Sequence, residues 1–236
     1  MMLTSLRAEV LEANLELVRK GLVIDTFGNA SGVSREKGLV VIKPSGVAYD
    51  KMRAADLVIS DLNGKIVEGK LRPSSDLATH IVLYKAFPKI GGVAHTHSRM
   101  ATAWAQARRE IPCFGTTHAD YFHGAVPVTH ILSLKEIESD YELNTGHAIV
   151  KRMAGLDPLS MPAILVSGHA PFCWGTSPHE AAHAAMMLEE IAHMAYMSVA
   201  LNLQADPISD SLLNKHFLRK HGSGAYYGQP KKKNRS

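Results

Sequence analysis

The chain has 236 residues, 46% of them hydrophobic and 20% charged, a composition that builds a sizeable core and excludes a disordered polymer. No apolar run approaches the roughly 20 residues needed to span a bilayer, and the N-terminus leads straight into a polar amphipathic pattern, so neither a membrane segment nor a signal peptide is expected. The net charge is +4, but Lys231, Lys232, Lys233 and Arg235 supply it, which leaves a near-neutral body with no nucleic-acid face.

Leu6, Val10, Ala13 and Leu17 repeat at helical spacing within residues 4–20, and Gly21 follows as a C-terminal cap. Thr26-Phe27-Gly28-Asn29-Ala30-Ser31-Gly32 has the small, polar composition of a tight loop whose backbone can approach a ligand. Residues 38–43 read as a buried strand stopped by Pro44-Ser45-Gly46, and residues 57–60 and 65–69 as a hairpin around Asn63-Gly64. Pro73-Ser74-Ser75-Asp76 opens a helix with Leu77, Ile81 and Tyr84 on one stripe. Gly91-Gly92-Val93-Ala94-His95-Thr96-His97 reads as a strand, followed by a helix over residues 98–107. Residues 111–130 alternate turn signals with short β-prone runs, and residues 140–153 are helical despite Gly146. Residues 163–166 form a buried strand running into Ser167-Gly168-His169-Ala170-Pro171-Phe172. A long helix over about 178–203 and a last one over about 210–221, capped by Gly222, complete the pattern. No repeat or long linker divides the chain, so residues 1–229 are assigned to one α/β or α+β domain, a central sheet covered by helices. The basic tail, residues 230–236, is expected to be disordered. Cys113 and Cys173 are too few for a disulfide framework, which points to a reducing cytoplasm, and 13 histidines justify a search for metal ligands.

Alternate side chains on a strand share a face, so His95 and His97 can both reach one divalent ion. His169 ends an apolar strand in a turn that would present its ring at the sheet edge. Asp76 reads equally as an oxygen ligand or as a helix-capping carboxylate. His80, four residues on, is a rival ligand on the same helix face. Gly28-Asn29, Ser45-Gly46 with Lys43 before it, and Ser74-Ser75 are three small clusters that together suit a phosphate monoester and singly read as ordinary turns or caps. No nucleotide-binding glycine loop is present. His179-Glu180-Ala181-Ala182-His183 matches the zinc-protease pattern H-E-x-x-H. Ser177-Pro178-His179-Glu180 is also a helix capping box, a grammar that commits Glu180 to the backbone.

In chain order the motifs are Gly28-Asn29-Ala30-Ser31, Lys43-Pro44-Ser45-Gly46, Pro73-Ser74-Ser75-Asp76, His95-Thr96-His97-Ser98, Thr117-His118-Ala119-Asp120-Tyr121 and Ala225-Tyr226-Tyr227-Gly228-Gln229. From about residue 5 to 229 this closely resembles the L-ribulose-5-phosphate 4-epimerases, a branch of the class II aldolase family related to L-fuculose-phosphate aldolase. The resemblance implies a mostly antiparallel sheet. It implies Asp76, His95, His97 and His169 as ligands of a divalent metal, usually Zn2+. Gly28, Asn29, Ser45, Gly46, Ser74 and Ser75, with Lys43 nearby, match substrate and phosphate contacts, and His216 matches a phosphate-end position. Asp120 and Tyr227 match an acid/base pair. The family implies a homotetramer of C4 symmetry whose active sites lie between subunits, acting on a phosphorylated pentulose, with no nucleic acid or membrane partner. His169-Ala170-Pro171-Phe172 replaces the family's His-Gly-Pro-Phe, and an alanine forced to positive φ there would cost about 1–2 kcal/mol.

Inverting C4 of L-ribulose 5-phosphate by direct proton abstraction is unattractive, because that hydrogen is not α to the C2 carbonyl. Retro-aldol cleavage of C3–C4 avoids this, leaving an enediolate and glycolaldehyde phosphate; rotation of the aldehyde and re-addition then give D-xylulose 5-phosphate. Two acid/base groups on opposite walls fit the proton transfers at the C4 oxygen. The alternatives are an aldolase of the same family that releases its aldehyde, and a non-catalytic, adducin-like assembly domain.

Overall fold

A computed structural model describes residues 2–228. Among them, seven strands form one sheet in the order β4-β3-β2-β1-β5-β7-β6, every neighbouring pair antiparallel. The strands are β1 (Asn29–Ser34), β2 (Leu39–Ile42), β3 (Val58–Asp61), β4 (Ile66–Glu68), β5 (Gly92–His95), β6 (Ala163–Leu165) and β7 (Pro171–Gly175). The helices are α1 (Thr4–Arg19), α2 (Leu77–Ala86), α3 (Arg99–Gln106), α4 (Thr116–Ala119), α5 (Leu134–Glu138), α6 (Tyr141–Arg152), α7 (Pro178–Leu201) and α8 (Asp210–His221). The basic tail lies outside the described residues.

Apart from the exposed edge strand β4, the sheet is buried on both faces, and β2 shows how. Val40 and Ile42 join the main core, whereas Leu39 and Val41 join a smaller cluster with Val10, Tyr49, Met52, Leu57 and Ile59. That accounts for a strand with no polar alternation. On the face that Val41 shares with Gly32, α7 lies beside α1 and lays Ala181, Ala182, Ala185, Leu188 and Ala192 across β5 and β7. The approach is close: a Cβ on Gly92 would stand 2.4 Å from the Ser177 carbonyl oxygen, and one on Gly175 2.4 Å from Glu180 Cβ. Glycine is therefore required where the segment leading to His95 enters the sheet.

Several expectations are revised by packing. Residues 29–32 are not loop but the start of β1, at the middle of the sheet; α1 and α7 cover it so tightly that a Cβ on Gly32 would lie 2.7 Å from Leu6 and 2.8 Å from Pro178. Small residues there are a packing requirement that reads, in composition, as a turn. The strand carrying the histidines stops at His95, and His97 lies just beyond it. Within residues 111–130 the β-prone runs make only isolated bridges, and Thr116–Ala119 is a helical turn ending at Asp120. β7 and α5 were not anticipated, and Gly222 ends α8 in extended rather than left-handed backbone, with φ −76°. Gly21, by contrast, has the left-handed φ of 67° expected of a helix stop.

Helix α6 packs on α2 at Gly146, where an added Cβ would lie 2.7 Å from Val82 Cβ. Helix propensity favours alanine over glycine by about 1 kcal/mol, and overpacking a core costs about 1–3 kcal/mol. Gly146→Ala is thus expected to lower stability, by up to about 2 kcal/mol in urea melts; a stabilised variant would show that α6 moves freely on α2.

His118 in α4 is buried and its Nε2–H donates to the Gly124 carbonyl at 2.8 Å. Burial pushes its pKa down to about 4 from 6.5, against the smaller opposing effect of that hydrogen bond. Because the folded value lies below the unfolded one, the neutral ring is the stabilised form. Its contribution is whole above about pH 6.5 and is lost as pH falls towards 4. One such proton steepens the acid limb by about 1.4 kcal/mol per pH unit. His118→Gln should flatten the stability profile by that slope between pH 6 and pH 4.5; an unaltered limb would contradict it.

Candidate metal centre

Three strands deliver one histidine centre. The ladders pair His95 of β5 with Asn29 of β1 on one side and Phe172 of β7 on the other. The Phe172 ring stacks on His95 with centroids 4.2 Å apart. His95 Nδ1 donates to the Pro171 carbonyl at 2.9 Å, which leaves Nε2 free to coordinate. That Nε2 is 3.1 Å from His97 Nε2. His169 enters from the β6–β7 turn, whose positive φ (71°) falls on Gly168, not on Ala170. The substitution of alanine at 170 therefore brings no backbone strain. Ligand atoms of His95, His97 and His169 all lie within 4.8 Å of one another. Burial, then the neighbouring imidazole charges, lowers the pKa of His97 and brings that of His169 to about 4. All of this suits neutral imidazole donors for one divalent ion. The three rings fit such a metal.

Asp76 precedes α2 but caps nothing: no α2 amide donates to its side chain. Instead Asn29 Nδ2 donates to its Oδ2 at 2.6 Å and to Ser74 Oγ at 3.1 Å. Burial raises the Asp76 pKa, but the His95 and His80 imidazoles, the Asn29 amide and His169 more than offset it and leave it below the ordinary range. Asp76 is thus an anion within electrostatic reach of His95 and His169, outside the set whose ligand atoms all lie within 4.8 Å of one another. His80 lies outside the three-imidazole set; its Nδ1 is bonded to Ser31 Oγ at 2.7 Å, and burial takes its pKa down to about 3.

The three small clusters converge. Pro44 and Pro73 form a bridge, Ser45 N–H donates to the Arg72 carbonyl at 3.0 Å, and Ser74 N–H to that of Lys43 at 2.9 Å. Asn29 ties Ser74 to β1, while Ser45, Gly46 and Ser75 are exposed at the rim. Gly28 has φ +90°, and a Cβ there would come 3.0 Å from the His95 carbonyl oxygen, so only glycine fits. Lys43 is buried with Nζ 4.7 Å from the Tyr49 ring centroid and 3.4 Å from the Thr26 carbonyl, and burial lowers its pKa.

Asp120 and Tyr227 lie elsewhere, linked through Arg219 and Lys220 of α8. Arg219 grips both carboxylate oxygens of Asp120, at 3.1 Å and 2.7 Å; His216 Nδ1 lies at 3.1 Å and Lys220 Nζ at 3.6 Å. His216 therefore stands beside Asp120, apart from the serine loops of its own chain. Burial raises the Asp120 pKa, but Arg219, His216 and Lys220 together hold it below the usual carboxylate range. The exposed Tyr227 ring lies under the Arg219 guanidinium (4.9 Å) and Lys220 Nζ (4.5 Å). Among the described residues no hydrogen bond, ion pair or ring contact joins this cluster to the histidine centre. Sequence reasoning missed Arg219 and Lys220, although their spacing of three and four from His216 places all three on one helix face.

The H-E-x-x-H segment is a helix start. Ser177 Oγ accepts Glu180 N–H at 3.2 Å, and Glu180 Oε2 accepts from Thr176 N–H and Oγ1–H at 2.8 Å and 2.6 Å. Glu180 is thus held at Thr176, one residue before the expected partner. His183 packs against Tyr121.

Residues 8–196 match the family described as Class II Aldolase and Adducin N-terminal domain. The chain is 54% identical over 224 residues to an L-ribulose-5-phosphate 4-epimerase UlaF of Salmonella paratyphi B, covering 95% of this chain and 98% of that one. The same enzyme of Salmonella typhi matches to the same extent. A solved L-fuculose 1-phosphate aldolase superposes with a TM-score of 0.77 at 24% identity, covering 90% of this chain and 94% of that one, a likeness of fold.

If the imidazoles hold a divalent ion together, His97→Asn should cut the metal content of purified protein at least about tenfold by elemental analysis. The double change His179→Ala, His183→Ala should leave it unaltered. The reverse pattern would move the metal to α7.

Proposed function

Because the chain belongs to the class II aldolase and adducin N-terminal domain family, we propose that it is an L-ribulose-5-phosphate 4-epimerase working by retro-aldol cleavage, rotation and re-addition. The observation that carries this reading is the convergence of three imidazoles and a half-buried carboxylate beside serine and glycine loops, in a chain 54% identical to such an epimerase over nearly its whole length. His95, His97 and His169, with Asp76, would hold a divalent ion, by preference Zn2+, which when bound supplies Lewis-acid stabilisation of the charge that C3–C4 cleavage creates.

The remaining work falls to side chains. Gly28, Ser45, Gly46, Ser74 and Ser75 offer amides and hydroxyls to the phosphorylated fragment, with Asn29 bracing Ser74 and Lys43 behind them, so that the aldehyde turns without leaving. Asp120, ionised between Arg219 and His216, takes or returns the proton of the C4 oxygen on one wall, and Tyr227 does so on the other. A single chain keeps these two groups apart from its own imidazoles, which supports a C4 homotetramer in which one subunit's histidines face the neighbouring subunit's Asp120, Tyr227 and His216. The two free cysteines, with no described helix long and apolar enough to cross a membrane, support a cytoplasmic enzyme. A family aldolase would use the same centre, but the full-length similarity is to epimerases. The ligand-bearing residues also speak against an adducin-like assembly role.

Metal-loaded enzyme given L-ribulose 5-phosphate should form D-xylulose 5-phosphate; net release of glycolaldehyde phosphate without inversion would favour the aldolase. Asp120→Asn and Tyr227→Phe should each lower kcat by about 10²- to 10⁴-fold with metal content unchanged, and loss of metal in either would refute the assigned roles.

A further inference from the structure

Asp76, His80 and Tyr84 recur every four residues on one face of α2 and its cap, and β1 answers them with alternate residues. Asn29 donates to Asp76, while Ser31 Oγ lies 2.7 Å from His80 Nδ1 and 2.7 Å from the Tyr84 hydroxyl. Four helical residues rise about 6 Å and two strand residues about 6.6 Å, so the step from Asp76 to His80 matches that from Asn29 to Ser31, and Tyr84 shares Ser31 with His80. The outcome is a buried polar ladder that registers α2 on the strand paired with His95.

One rung is incomplete. His80 is fully buried, yet its Nε2 has no hydrogen-bond partner; it is the one nitrogen among the unpartnered buried side-chain atoms of the described residues. Asn29 Oδ1 is a second such atom, on the residue that grips Asp76. Two orphans, one on the residue bonded to Asp76 and one a helical turn along α2 from it, are costly and call for an explanation. The direction in which the ladder's hydrogen bonds run sets which nitrogen carries the proton. If the Tyr84 hydroxyl donates to Ser31, Ser31 donates to His80 Nδ1, and the neutral ring must then present Nε2–H as a donor. The charge acting most strongly on this ring is that of Asp76, one helical turn before it.

We propose that His80 is a positioning residue: its Nε2–H steadies Asp76 as that carboxylate engages the metal, and Tyr84 and Ser31 fix the tautomer that makes this possible. The proposal rests on the metal reading above. Its ligand is the same divalent ion, and its novelty lies in a histidine that coordinates nothing.

Zinc affinity of the metal-free full chain, by titration against a chromophoric chelator, separates the possibilities. His80→Asn keeps a polar group towards Ser31 and removes Nε2, and should weaken zinc about 10- to 100-fold. His80→Gln, whose amide reaches the Nε2 position, should stay much closer to the parent. In an Asp76→Asn background His80→Asn should cost nothing further, because its route to the metal is gone. A merely structural histidine would shift the melting temperature of the metal-free chain in both variants and leave zinc affinity alone; that result, or an equal loss in the Asp76→Asn background, overturns the proposal. If His80→Asn does not fold, Ser31→Ala serves, and parent-like affinity there also overturns it. A parent chain that binds no zinc sinks the metal reading and this one together, whereas a parent that binds it with His80→Asn unchanged sinks only this one.

Discussion

The amide of one buried asparagine holds the site together. Asn29 spends both Nδ2 hydrogens, one on Asp76 and one on Ser74, while its backbone pairs with that of His95. Strand register, carboxylate and serine loop are therefore fixed at a single residue that is 2% exposed. A hydrogen bond to a buried charge is worth about 1.5–3 kcal/mol, and here it sets geometry as well as stability. The antiparallel ladder carries the constraint sideways, from Asn29 to His95 and on to Phe172, and so to the turn that bears His169.

The second cluster obeys a different rule. Asp120 would be costly to bury alone, and it is compensated by Arg219, His216 and Lys220 from α8. This arrangement keeps a carboxylate ionised and rigid at the surface of one chain. In the proposed assembly that rigidity has a use: a group presented across a subunit boundary must keep its place without help from the site it serves.

The sequence disclosed features whose cause is local. The α1 stripe, the Asn63-Gly64 hairpin, the Ser177 helix start and the His95/His97 pair all depend on neighbours a few residues away. Features caused by distant packing stayed hidden. β1 looked like a loop because α1 and α7 press on Gly32 from one face and α2 takes Ser31 from the other, all from regions far off in the chain. Gly146 looked like a flaw in α6 until Val82 supplied its reason. Asp76 could be read as a cap or a ligand, and what the structure adds is that it makes no capping bond and accepts from Asn29 instead. The separation of Asp120 from the imidazoles was not legible from motif order, which suggests one continuous site.

Subunit complementation tests the central claim most directly. His97→Asn and Asp120→Asn proteins, each inactive alone, are mixed and allowed to exchange subunits, with exchange followed by native mass spectrometry. If an active site takes imidazoles from one chain and Asp120 from the next, some boundaries in the hybrids pair two intact halves. Random cyclic tetramers should then recover roughly a quarter of the parent's epimerase activity. Hybrids that form yet remain as inactive as either variant would contradict a shared site.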